Sequence, residues 1–121
     1  MQSSGIERRR APRAAASFPI QLTAQAQPGA PATLKDISNN GLCCTYGEPV
    51  REMTVVKLDM RFPGQKDMHS VQGVVVRCAK RRGESPPTYE IAIYFAEMAA
   101  ASRAALEQYV GATLTRTVGA K

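Results

Sequence analysis

Three segments of this chain alternate apolar and polar residues with a period of two. Phe18, Ile20, Leu22 and Ala24 alternate with Pro19, Gln21 and Thr23. Val56, Leu58, Met60 and Phe62 alternate with Lys57, Asp59 and Arg61, and Tyr89, Ile91, Ile93 and Phe95 fall together on one side of a third run. Side chains alternate between the two faces of a strand, so each run reads as a strand with one buried face. Pro19 makes the start of the first an edge or a strand entry, because proline cannot donate to a ladder. Between them, Ala32 to Ile37 reads as a short return strand, LCCTY (42–46) as extended, and SVQGVVVRCAKR (70–81) as a β-branched run. Gly73 in that run marks a bulge or a close backbone crossing. The stretches QPGAP, SNNG, GEPVRE, PGQKD and GESPP are turns by composition. After Phe95 the period changes. Met98, Ala101, Ala105, Leu106, Tyr109 and Val110 fall near helical spacing, and Gly111 is the expected helix stop.

The fold class that follows is all-β: a six-stranded antiparallel β-barrel with a C-terminal α-helix plugging one open end. Six half-buried strands close into a barrel because closure removes the exposed edges. With 121 residues there is enough chain for one core. The expected layout is a flexible arginine-rich arm over 1–16, barrel and helix over 17–111, and a tail over 112–121.

Composition narrows the partners. The net charge is +6, and about half of it lies in residues 1–13, which hold four arginines and one glutamate. Such an excess favours an anionic partner: nucleic acid, nucleotide or membrane surface. Three cysteines without CxxC spacing argue against a disulfide framework and against zinc. Cys43 and Cys44 are adjacent in a strand, point to opposite faces and cannot chelate one metal together. No stretch has signal-peptide character or the length of a membrane span, so the expected location is cytoplasmic, without membrane insertion.

Catalysis is hard to place. The one histidine, His69, sits in KDMHS, which reads as a solvated turn. The carboxylates show no acid–base pairing, and there is neither GxGxxG nor a P-loop. The chain is expected to be no enzyme and to carry no cofactor or metal.

Two stretches remain, ERRRAPR (7–13) and DISNNG (36–41). Arg9 and Arg13 offer planar forks that fit phosphate, or the O6/N7 edge of guanine, in bidentate fashion. An aspartate accepts from guanine N1–H and N2–H₂ on the opposite edge. Asp36 and Ser38 are two apart at a strand end, so both side chains leave one face, and the Ser38 hydroxyl can donate to phosphate. Asn39, Asn40 and Gly41 supply a turn through left-handed backbone, which Asn tolerates and Gly enters freely. The plain alternative is that Asp36 and Ser38 hydrogen-bond only their own turn. Taken together, the residues describe a receptor for an anionic, guanine-bearing ligand.

In this arrangement the sequence resembles the PilZ domain family. RRAPR, Arg9 to Arg13, fits its RxxxR element, and DISNNG, Asp36 to Gly41, fits its D/N-x-S-x-x-G element. VQGVVVR, YEIAIYF and a terminal helix follow in order, so the likeness runs from about Glu7 to Val110. The resemblance implies a six-stranded barrel and a cytoplasmic bacterial receptor for cyclic di-GMP. Carried over by position, Arg9 and Arg13 would grip phosphates and guanine edges. Arg8 would stack or pair with a base, at the position linked to binding one ligand molecule or a stacked pair. Asp36 and Ser38 would hold guanine and phosphate, and Gly41 would keep the turn. Many members carry Gly where Asn40 and Ala92 stand, and the Ala92 methyl narrows the ligand floor.

The output expected is ordering of the arm on binding, read by an unidentified protein partner, from a monomer or weak dimer. Two alternatives stand beside it: a PilZ-type scaffold acting only through protein contacts, and a small basic barrel binding single-stranded nucleic acid. The second needs exposed aromatics. There is no Trp, and Tyr46 and Tyr94 are the aromatics left outside the presumed core.

Overall fold

Each alternating run is a strand, and the apolar side of each faces one core. The computed structural model describes residues 14–15, 18–24, 29–83 and 85–119, with backbone only at 14–15 and 114–119. Arg8, Arg9 and Arg13 lie outside the described residues. The elements are β1 (Ala14–Ala15), β2 (Pro19–Ala24), β3 (Ala30–Ile37), β4 (Gly41–Tyr46), β5 (Val55–Met60), β6 (His69–Lys80), β7 (Tyr89–Glu97) and α1 (Ala100–Gly119). The sheet order is β3-β2-β5-β6-β7-β4, and β4 pairs back onto β3, so the six long strands close into an antiparallel barrel.

β1 is a seventh, two-residue strand that the sequence pattern does not suggest. Ala14 pairs with Ile37 and Ala15 with Asp36, on the edge of β3 that β2 covers further along, from Ala30 to Thr33. Pro19 opens β2 opposite Thr33, as a strand entry should.

The core is drawn from all six long strands: Ile20, Leu22, Leu34, Ile37, Leu42, Cys44, Val56, Leu58, Met60, Val75, Ile91 and Ile93 are among its buried side chains. Three register shifts adjust the phase, at Leu34/Asp36, Gln72/Gly73 and Val75/Arg77. A register shift between Leu34 and Asp36 lets Leu34 and Ile37, three apart, both face inward. Gly73, expected to mark either a bulge or a close crossing, marks both. It follows a register shift at Gln72, and a Cβ there would stand 2.5 Å from Ile93 Cγ2 and 3.1 Å from Tyr94 O.

α1 closes one end of the barrel. Tyr109 stacks on Phe62 at 5.4 Å and meets Phe18 edge-on at 5.6 Å, while Leu106 and Val110 are buried beneath the helix. Three expectations need correction here. His69 is no solvated loop residue: it opens β6, lies against the Phe62 ring and shares a 2.9 Å hydrogen bond with the Ser102 hydroxyl. That bond turns Ser102 inward and leaves Ala101 exposed, the reverse of the expected stripe. Gly111 does not stop the helix. It lies on the exposed side, where an added Cβ meets nothing, and the inward stripe continues through Val110 to Thr113. The penalty of about 1 kcal/mol for an interior glycine is small beside continued burial of that face.

The cysteines are free thiols, with Cys44 in the core and Cys43 and Cys78 half-buried. Burial, reinforced by neighbouring Cys43, pushes the Cys44 thiol up to about 12. Since the thiolate is the nucleophile, iodoacetamide at pH 8 is expected to modify Cys43 and Cys78 in the folded protein and Cys44 only after denaturation. Peptide mass spectrometry reads the difference, and labelling of Cys44 at the rate of Cys43 would contradict this packing.

Candidate functional site

The DISNNG segment is the tight hairpin between β3 and β4. Ser38 N–H donates to Gly41 O at 2.8 Å, and the Ser38 hydroxyl accepts from Asn40 N–H at 3.1 Å and Gly41 N–H at 3.3 Å. The same hydroxyl donates to Gly41 O at 3.4 Å, and Ser38 is only 3% exposed. The shared open face expected for Asp36 and Ser38 is therefore absent. The strand ends at Ile37, and Ser38 folds its side chain into the turn while Asp36 stays half-buried on β3.

The turn also does without left-handed backbone. Among the described non-glycine residues only Met53 has positive φ, and Gly41 is not among the glycines that do. The reason lies in its tertiary partners. Phe95 N–H of β7 donates to Asn40 O at 2.8 Å, and the Arg103 guanidinium of α1 donates to Asn39 O. With the Ser38 hydroxyl holding the inner N–H groups and β7 and α1 holding the outer carbonyls, an ordinary backbone suffices. Gly41 is required for another reason: a Cβ there would come within 2.3 Å of Ile93 O and 3.2 Å of Tyr94 Cα. Asn39 Oδ1 is buried without a hydrogen-bond partner among the described residues. Such an orphan costs about 1–3 kcal/mol.

Strand register builds a surface beside this turn. Asp36 pairs with Cys43, Cys43 with Ala92, and Ala92 with Arg77, giving one row across β3, β4, β7 and β6 on the outside of the barrel. Ala15 of β1 extends the row beyond Asp36. The floor between Asp36 and Arg77 is thus made of two small residues. One step along, Lys35 and Arg77 both pair with Glu90, Arg77 at 3.6 Å. The hydrogen bond from Lys35 holds the Glu90 carboxyl below its ordinary range, and the same bond raises the Lys35 ammonium. Of the two tyrosines left outside the expected core, Tyr46 is in fact buried and Tyr94 is exposed.

Asp36, Ser38 and Gly41 are thus brought to one hairpin, with β1 beside it. Sequence reasoning missed Arg103 and Phe95, which hold the hairpin from outside. No local signal marks them, since each contact spans more than fifty residues. A groove of about 750 Å³ among the described residues is lined by Thr23, Val55, Lys57, Gln72, Glu97 and Met98 and touches neither Asp36 nor the hairpin. Among the described residues no helix is long and apolar enough to cross a membrane, and no cluster of His, Cys, Asp and Glu has the makings of a metal site.

The PilZ domain profile matches residues 7–112, which takes in both motifs, the barrel and the start of the helix that caps it. The chain belongs to the PilZ family. Solved PilZ-type structures share its fold at low identity. Bacillus subtilis MotI/DgrA, an inhibitor of motility, superposes with a TM-score of 0.76 at 19% identity over 94% of this chain and 53% of its own. The PilZ domain of Escherichia coli YcgR, solved with c-di-GMP, gives 0.69 at 15% identity over 91% and 94%. The K. pneumonia MrkH–c-di-GMP complex gives 0.74 at 16% identity over 93% and 55%. The chain therefore spans about half the length of MotI and MrkH and nearly all of the YcgR PilZ domain. No curated protein matches the sequence as a relative.

Proposed function

We propose that this PilZ protein is a non-enzymatic cytoplasmic receptor for cyclic di-GMP. One observation carries the reading. β1 pairs Ala14 and Ala15 with Ile37 and Asp36, and Arg13 is the residue bonded to Ala14. The described strand that directly follows the RxxxR motif in sequence thus lies against the edge of β3 that carries Asp36, which supports bringing the two motifs to one ligand. The c-di-GMP complexes of YcgR and MrkH, built on the same fold, support the choice of ligand.

On this reading Arg9 and Arg13 bind phosphate and guanine edges from the arm, Arg8 stacks on or pairs with a base, and Asp36 accepts from guanine N1–H and N2–H₂. Ser38 acts first through the turn. Its buried hydroxyl fixes Asn40 and Gly41, and it reaches phosphate only by giving up its long bond to Gly41 O. Gly41 lets the hairpin lie against β7. The orphaned Asn39 carbonyl oxygen gains if arm or ligand brings a donor.

Ordering six arm residues costs roughly 1–2 kcal/mol each in backbone entropy. Charge-assisted hydrogen bonds return about 1.5–3 kcal/mol each. Four or five such bonds roughly offset the ordering, and stacking and burial add the rest. The arm closes on the ligand, and the changed surface is what a partner protein reads. Amide hydrogen exchange tests this: residues 1–16 exchange more slowly when cyclic di-GMP is added, and equal exchange with and without it contradicts the clamp.

A further inference from the structure

Tyr94 stands apart from the other aromatics. It lies in mid-strand on β7, yet is 56% exposed, whereas Phe18, Tyr46, Phe62 and Phe95 are buried and Tyr109 is stacked on Phe62. The Tyr94 side chain takes part in no hydrogen bond or ring contact among the described residues. A large ring left uncovered in the middle of a sheet is a contact surface in search of a flat partner.

Register fixes what surrounds it. Tyr94 pairs directly with Gly41 on β4 and Val74 on β6, and Val74 pairs with Val55 on β5. On the Gly41 side there is no side chain to cover the ring, while Val74 and the exposed Val55 extend an apolar shelf on the other. β4 and β7 pair without a shift, so Tyr94 shares the outer face with Ala92, two residues before it, and with the row that ends at Asp36. Asp36 and Tyr94 are two strands and one same-face step apart, roughly 12 Å between Cα atoms by sheet spacing. A cyclic dinucleotide carries its two bases on opposite sides of the sugar–phosphate ring, so an extended one can reach both positions.

We propose that Tyr94 is the stacking platform for the guanine of cyclic di-GMP that Asp36 does not hold. The inference rests on the receptor reading above. Asp36 recognises one base by its edge, and Tyr94 receives the other by its face, over the opening that Gly41 leaves. Small residues at 41, 43 and 92 let the ligand lie flat between them. Stacking needs a ring and not a hydroxyl, so phenylalanine serves in place of tyrosine.

Cyclic di-GMP is titrated calorimetrically into the parent, Tyr94→Phe and Tyr94→Ala. Tyr94→Phe keeps most of the affinity, and Tyr94→Ala loses about tenfold, the usual loss when a stacking aromatic is truncated. Because the chain has four tyrosines and no tryptophan, the ligand also quenches tyrosine emission in the parent, and most of that quench is missing in Tyr94→Phe. Equal affinity in parent and Tyr94→Ala, with the parent binding well, overturns the platform alone and leaves the receptor reading intact; Tyr94 then belongs to a protein-contact patch with Val74 and Val55. A parent that binds no cyclic di-GMP overturns both.

Discussion

Gly41→Ala is expected to lower the melting temperature by on the order of 10 °C. A Cβ at position 41 would stand 2.3 Å from Ile93 O, which is backbone of the neighbouring strand and cannot rotate away. Relief requires β4 to move off β7, and β4 is the strand that closes the barrel. Overpacking of this kind costs about 3 kcal/mol at the upper end of its usual range, and each kcal/mol moves the midpoint of a domain this size by roughly 4 °C. Gly47→Ala is the control. A Cβ there meets nothing, and the residue has ordinary φ, so its melting temperature stays near the parent's. The functional loss is expected to exceed the loss of stability. Ser38 holds the N–H of Gly41, and Asn40 O is held by Phe95, so displacing Gly41 deforms the whole hairpin. A Gly41→Ala protein that melts with the parent would mean that β4 and β7 do not meet in this register.

Arg13→Ala is expected to weaken binding of cyclic di-GMP by about tenfold to a hundredfold, the loss of one or two charge-assisted hydrogen bonds. The position matters because Arg13 adjoins the β1 pairing to Asp36 and Ile37. Arg82→Ala removes the same charge from an exposed turn between β6 and β7 and is expected to change affinity little. Equal losses from both variants would mean that the ligand responds to net charge alone. Salt separates the same ideas. Affinity built from forked contacts and guanine edges falls gently between low and physiological ionic strength, whereas a nucleic-acid strand held through many phosphates is released steeply.

Much of the fold could be read from the chain because burial imposes period two on half-buried strands. All six long strands fall in segments that read as extended, three of them by clean alternation, and the glycine in VQGVVVR marked a shift or a close approach where the structure has both. What could not be read depends on distant partners. Two alanines carry no period, so β1 exists only through its pairing with β3. The helix continues beyond Gly111 because Thr113 prolongs the inward stripe, a fact of packing rather than propensity. In the DISNNG hairpin, composition favours left-handed asparagines. The structure holds ordinary backbone instead, because Phe95 and Arg103 arrive from the far end of the chain to bond its carbonyls. The sequence singles out Gly41 for the turn, whereas the structure requires it for the strand it passes. His69 looked solvated because neither Ser102 nor Phe62 is near enough in sequence to suggest a contact.

The central claim is that the arginine arm and the Asp36–Gly41 hairpin together hold a two-guanine messenger on the outer wall of the barrel. Calorimetric titration of cyclic di-GMP into the full chain at low ionic strength tests it most directly. A saturable heat is expected, with one or two molecules bound per chain and a clear loss of affinity in Arg13→Ala. A folded protein that gives no heat and no shift of any amide resonance at saturating cyclic di-GMP would contradict the account.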